Sequence, residues 1–156
     1  MSLLAGCDDG HEDRDHSAHN DQDERGGSAA TEIGSCGNSS GECFELGWEG
    51  ESSAAKLTVL SASPEEPVRG LNNWRVMLSD LEDNALTGCE ITLTPYMPDH
   101  GHGVATTPTV TEGEAGQYQI DQIELIMPGL WEMRFEISCG GWDTNEQITY
   151  AIWLTA

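Results

Sequence analysis

The segment Met97-Pro-Asp-His-Gly-His-Gly brings together side chains that are well suited to hold a metal ion. Two of the chain's five histidines, His100 and His102, lie here close to Met97. A second methionine, Met127, stands at the start of a later predicted strand. Imidazole and thioether ligands together suit copper, whereas zinc more often recruits thiolates or carboxylates. These four residues are therefore the predicted metal ligands, and Cu(I) is the favoured ion.

An ordinary loop is the alternative interpretation of this segment. Two histidines in a glycine-rich turn are common polar loop residues, and Asp99 suits a turn. Met97 and Met127 would also serve as flexible fillers at the edge of a hydrophobic core. Each residue taken alone is weak support for a metal site, and their convergence favours it.

The elements that would position these residues are short strands. From residue 54 onward, apolar and polar residues alternate with a period of two, and turn residues separate the runs. About seven such strands without a helical period are typical of an antiparallel β-sandwich, which we expect to span residues 54–156. The strands are predicted at 56–60, 73–78, 89–94, 104–111, 117–125, 131–139 and 147–154.

Five cysteines indicate a disulfide framework and one further role. If Cys7 carries lipid, the other four can form two disulfides in three possible pairings. Cys36 and Cys43 enclose a short polar loop, while Cys89 and Cys139 fall on apolar faces of two predicted strands. The favoured pairs are therefore 36–43 and 89–139, the second joining either the two sheets or neighbouring strands. Because disulfides persist in oxidising compartments, we expect a periplasmic or cell-surface protein.

The N-terminus contains a possible lipidation site. Leu4-Ala5-Gly6-Cys7 resembles a bacterial lipobox, although the charged start and most of the apolar segment of a signal peptide are missing. Residues 1–7 are interpreted as a truncated lipoprotein signal with Cys7 as the lipidated residue. The alternative is an ordinary N-terminus with one cysteine. No apolar run is long enough to span a membrane as a helix, so membrane attachment is expected through the lipid alone.

Residues 8–53 are predicted to form an acidic, disordered tether with a small cysteine loop. They are too polar to bury enough surface to offset the entropy of ordering, although the last part is expected either to pack against the domain or to stay loose. His11, His16 and His19 lie among carboxylates and could capture metal weakly. A solvated spacer is the favoured interpretation of these residues.

The composition excludes several classes of function. The formal net charge is −22, from 28 acidic and 6 basic residues, so a nucleic-acid backbone would be repelled. A blue-copper centre requires two histidines, a cysteine and a weak axial methionine, but no histidine follows His102 and the later cysteines are expected to face the core. A hydrolase requires a nucleophile with a positioned base, but the only histidines of the predicted domain lie together in one turn. We therefore expect a monomeric protein that is not an enzyme.

Three segments resemble the YtkA-like domain family. They are Tyr96 to Gly103, then Gly116-Gln117-Tyr118, and then Met127 to Met133, within a similarity over roughly residues 70–154. The resemblance implies an immunoglobulin-like β-sandwich of exported bacterial proteins, related to FixH-like proteins and to domains joined to copper-handling systems. It also implies that Met97, His100, His102 and Met127 are the candidate ligands.

The function expected from these observations is a lipid-anchored periplasmic or surface protein that sequesters or delivers copper. Its partner would be a copper-handling or oxidase-assembly protein. The alternative is a β-sandwich lipoprotein with a structural or adaptor role and no metal.

Overall fold

The computed structural model describes residues 43–156. The predictions made for the lipobox, for most of the tether and for one end of the smaller cysteine loop lie outside the described residues. The residues concerned are Cys7, His11, His16, His19 and Cys36.

Nine strands make up the described part of the chain, and it contains no helix, so the predicted all-β fold is confirmed. About seven strands were expected, and the two additional strands are both short. No helix within the described residues has the length and hydropathy needed to cross a membrane. The strands are β1 Glu49–Glu51, β2 Lys56–Ser63, β3 Gly70–Ser79, β4 Glu90–Met97, β5 His102–Gly103, β6 Thr109–Glu112, β7 Gln117–Leu125, β8 Gly129–Ser138 and β9 Glu146–Leu154.

Two antiparallel sheets pack face to face. One has the strand order β1-β2-β3-β7-β6, and the other has the order β5-β4-β8-β9. Alternation along each strand sends every second side chain into the space between the sheets. In β8, for example, Trp131, Met133, Phe135 and Ile137 are all buried. The period of two in the sequence thus becomes the shared core of the sandwich.

The sequence placed the start of the domain at residue 54, but residues before this position are already part of the fold. β1 lies within the range assigned to the tether and pairs with β2. Phe44 packs on Trp74 with ring centroids 5.2 Å apart, and Trp48 stacks on Tyr150 at 3.9 Å. Of the two expectations for this stretch, packing against the domain is the one observed. Burial of these aromatic rings accounts for the order of a segment that is otherwise polar.

The predicted disulfide between Cys89 and Cys139 is confirmed. It joins neighbouring strands of one sheet, because Glu90 and Ser138 are paired in the β4–β8 ladder and the two cysteines come next to them. Cys43 is also disulfide-bonded. Since its expected partner lies outside the described residues, the 36–43 pairing stays a prediction.

Candidate metal site

The β4–β5 hairpin carries both histidines of the domain. The backbone N–H groups of His100 and Gly101 donate to the carbonyl of Met97 at 3.2 and 2.9 Å. Pro98 occupies the second position of this turn, where its fixed φ is favourable. Gly101 has φ +67°, a left-handed conformation that glycine adopts at little cost, and it returns the chain into β5.

Gly103 is required for a different reason, namely close backbone approach. A Cβ atom at this position would lie 2.6 Å from the carbonyl oxygen of Pro95. β5 pairs with β4 through Tyr96 opposite Gly103 and Met97 opposite His102. Any larger residue would therefore push the two strands apart at this pair.

The two imidazoles are exposed and close together. Their ring centroids are 5.6 Å apart, and the ring planes are inclined by 49°. An ion about 2 Å from one nitrogen of each ring would set the ring centres roughly 5–6 Å apart, so the observed spacing suits a shared metal. Asp99, between them and Pro98, is exposed in the turn, as the sequence predicted.

The tautomer of His102 follows from its hydrogen bond. Its Nδ1 lies 3.0 Å from the carbonyl oxygen of Gly103, and a carbonyl can only accept, so Nδ1 carries the proton. In the neutral ring Nε2 then has the lone pair. Metal-binding histidines usually hold the second ring N–H in this way, which orients the ring and leaves one nitrogen for the ion.

Met127 lies in the connection between β7 and β8, and two contacts fix that connection. The indole N–H of Trp131 donates to the carbonyl of Met127 at 3.0 Å. Gly129 has φ +129°, and a Cβ there would lie 3.0 Å from the methyl carbon of Met97. The side chain of Met127 is half-buried against the core.

The four predicted ligands come from one end of the sandwich. β4 ends where β8 begins, because the two strands are antiparallel and Tyr96 pairs with Glu132. Met97 and His102 form a directly opposed pair, so their side chains leave the sheet on the same face. Met97 differs from the other three in being fully buried. Its methyl group points towards Gly129, which is a packing role within the core.

No cluster of three or more histidine, cysteine or carboxylate side chains with the geometry of a metal site occurs among residues 43–156. A site with three or more of these side chains is therefore not formed within this range. The two histidines would need a ligand of another kind, such as a thioether, or a small exogenous ligand.

Tyr118 is a structural residue whose role the sequence did not reveal. Its hydroxyl accepts from the backbone N–H of Cys89 at 3.1 Å and lies 3.2 Å from the carbonyl of Leu86, to which it can donate. Burial is the main cause that raises the pKa of this hydroxyl above 10.0. Gly116 adopts φ +77° and passes close to the carbonyl of Leu78. This part of the family-like pattern thus holds the loop before the disulfide.

Comparison with known proteins gives one match. The YtkA-like family model matches residues 51–136, which is more than half of the 156 residues. The matched range includes the histidine hairpin, the Gly116-Gln117-Tyr118 segment and the stretch from Met127 to Trp131. No curated protein and no solved structure matches the chain. On the strength of the family match, the chain belongs to the YtkA-like family.

Proposed function

We propose that this YtkA-like protein binds copper at the β4–β5 hairpin and sequesters it or passes it to a partner. The observation that carries the proposal is the His100–His102 pair, two exposed imidazoles with centroids 5.6 Å apart. This spacing suits one ion between them, and a neutral His102 that donates from Nδ1 to Gly103 has its Nε2 lone pair available.

The fold explains the other residues of the hairpin but not the histidines. Pro98 and Gly101 make the turn, and Gly103 permits the close approach to Pro95. Met97 fills the core. An exposed histidine adds little to stability at such positions, so binding is the better explanation for the two imidazoles.

Copper is favoured over zinc because of the thioethers at the same end of the sandwich. Thioether sulfur needs no deprotonation and is a soft ligand that stabilises Cu(I), while imidazole accepts both copper oxidation states. Met127 is the more accessible of the two methionines, since Met97 is fully buried. The proposed site therefore consists of His100, His102 and Met127, with Met97 beneath them as the weaker fourth candidate.

Export to the periplasm or the cell surface is part of the proposal. The Cys89–Cys139 disulfide supports it, because such bridges persist in oxidising compartments. A lipid on Cys7 would hold the protein at a bacterial membrane, and a copper-handling or oxidase-assembly protein is the proposed partner. A copper site without thiols suits this compartment, because thioether and imidazole do not form disulfides there.

Competition titration of the full chain with Cu(I), Cu(II) and Zn²⁺ tests the proposal. The titration should use a background with His11, His16 and His19 replaced by Ala, so that binding by these residues is removed. We expect His100→Ala and His102→Ala each to weaken copper binding by roughly tenfold or more. Asp99→Asn is the matched control in the same turn and should leave the affinity unchanged.

A result without copper binding in this background would overturn the proposal. It would leave the structural or adaptor role as the better account of the protein. Equal affinity for Cu(I) and Zn²⁺ would contradict the participation of a thioether.

A further inference from the structure

We infer that Trp131 is a positioning residue for the proposed copper site: its indole N–H fixes the backbone of Met127 and thereby holds the thioether at the end of the sandwich where the histidines lie. The inference rests on the proposed function and deepens it. It assigns to a buried core residue an influence on the choice between Cu(I) and Cu(II).

The hydrogen bond from Trp131 ties a rigid core residue to a connecting segment. Trp131 is fully buried in β8, and its Nε1 donates to the carbonyl of Met127 at 3.0 Å. Connections between strands are otherwise the more mobile parts of a fold. A bond from a buried indole therefore restricts the position of the Met127 backbone.

Trp74 shows that burial of a tryptophan in this core does not by itself bring such a bond. Trp74 is also fully buried, and its indole nitrogen has no acceptor among the residues that the structure describes. Buried indole N–H groups usually find partners, and the partner of Trp131 is the backbone of Met127. The pair also supplies a natural control for the experiment.

Gly129 lies between Met127 and Trp131 and helps to set the path of the same connection. Its φ of +129° bends the segment, and the methyl carbon of Met97 lies 3.0 Å from where a Cβ atom at this position would be. Met97 belongs to the strand that leads into the histidine hairpin. The connection that contains Met127 and the strand that leads into the β4–β5 hairpin are thus packed against each other at Gly129 and Met97.

The consequence is a preformed arrangement of soft and borderline ligands. A ligand held in place before the ion arrives loses less conformational entropy on binding. Outer residues that orient ligands change metal affinity measurably when they are replaced. Because Cu(I) gains more than Cu(II) from thioether, loss of the Trp131 bond should act mainly on Cu(I).

The test compares Trp131→Phe with Trp74→Phe in the full chain with His11, His16 and His19 replaced by Ala, as in the titration above. Both changes remove an indole N–H from the core, but only the first removes a hydrogen bond to Met127. In competition titrations we expect Trp131→Phe to lower the Cu(I) affinity roughly two- to tenfold, the value of one hydrogen bond, and to leave Cu(II) unchanged. Copper X-ray absorption should show a reduced sulfur contribution in this variant, and Trp74→Phe should match the unmodified protein in both measurements.

Each other outcome has a distinct meaning. If the unmodified chain binds no copper, the proposed function fails and the inference fails with it. If copper binds and Trp131→Phe keeps both its Cu(I) affinity and its sulfur signal, the function stands and the inference is overturned. An equal loss of Cu(I) and Cu(II) would also overturn it, since it would indicate general damage to the site.

A second variant covers the case in which Trp131→Phe does not fold. Gly129→Ala disturbs the same connection while leaving the indole in place, because a side chain there meets the methyl of Met97 and φ +129° is unfavourable for alanine. The same selective loss of Cu(I) is expected. Unchanged Cu(I) affinity in this variant would count against the inference.

Discussion

Met97 and His102 are directly opposed in the β4–β5 ladder, so a fully buried thioether and an exposed imidazole leave the sheet on the same face. In a directly opposed antiparallel pair the Cβ atoms are about 5 Å apart. The proposed metal site therefore lies beside the hydrophobic core, and the packing of Met97 in that core helps to position His102.

The first prediction concerns the disulfide. Replacing Cys89 and Cys139 by Ser together should lower the free energy of unfolding by about 3–4 kcal/mol, because the bridge closes a long loop with a sequence separation of 50. Urea denaturation followed by tryptophan fluorescence measures the change. Copper affinity should be unchanged, since the bridge lies before β4 and after β8, at the end of these strands away from the histidine hairpin. A loss below about 1 kcal/mol would contradict the chain-entropy explanation.

The second prediction separates the two glycines of the hairpin. Gly101→Ala should cost about 1 kcal/mol, because only the left-handed backbone opposes it and the surrounding space is open. Gly101→Asn should be close to the unmodified protein, since Asn tolerates this conformation. Gly103→Ala should cost more, about 1–3 kcal/mol, because its Cβ would meet the carbonyl of Pro95.

Thermal denaturation of the three variants measures these differences, and copper titration supplies a second measurement. Gly103→Ala should also weaken copper binding, because β5 carries His102 and must move when the strands separate. Equal stability of Gly101→Ala and Gly103→Ala would show that the backbone contact at Gly103 is relieved without cost.

The strands were predictable where the pattern is local. β8 was predicted at 131–139 and is observed at Gly129–Ser138. The prediction was possible because a half-buried strand shows the alternation of apolar and polar residues in its own sequence. β1 has the sequence Glu-Gly-Glu and no such pattern. It is a strand because it pairs with β2, and β5 is a strand of only two residues for the same reason. Pairing partners are set by the tertiary fold and cannot be deduced from a three-residue window.

For the candidate site, the sequence supplied the residue types but not the surroundings of each side chain. The sequence singled out Met97, His100, His102 and Met127 together. Only the distances show that Met97 is enclosed and that Trp131 holds the backbone of Met127. Burial and hydrogen bonding across strands depend on register, which a single sequence does not state. The involvement of all four side chains in one metal site stays a prediction.

The third prediction uses Tyr150, which fastens the segment before β1 to the sandwich. Its hydroxyl accepts from the backbone N–H of Glu45 at 2.6 Å and lies 3.2 Å from the carbonyl of Cys43. Burial is the main cause that raises the pKa of Tyr150 from 10.0 to about 12. The unfolded chain therefore loses this proton at lower pH than the folded chain. The free energy of unfolding should be insensitive to this group below pH 10 and should fall as the pH rises from 10 towards 12.

Chemical denaturation between neutral and alkaline pH measures this effect, and Tyr150→Phe is the matched variant. At neutral pH the variant should be less stable by about 1 kcal/mol for each hydrogen bond removed. Its stability should fall less steeply at alkaline pH, with a remaining slope of the same sign from Tyr118, whose pKa is also raised. An unchanged slope in Tyr150→Phe would show that other groups determine the alkaline loss.

The last prediction compares the two methionines, because the structure gives them different surroundings. Met127 is half-buried in a connection at the end of the sandwich, whereas Met97 is fully buried with its methyl against Gly129. Leucine preserves much of the volume of methionine but has no sulfur, so the core should accept either change at a cost below about 1.5 kcal/mol. Met127→Leu should lower the Cu(I) affinity clearly and Cu(II) little, since thioether is a soft ligand. Met97→Leu should have the smaller effect on Cu(I), as its side chain packs inside the sandwich. Competition titration of the two variants side by side measures the difference. Equal losses would show that both sulfurs reach the ion and that the four-ligand site deduced from the sequence is the better description.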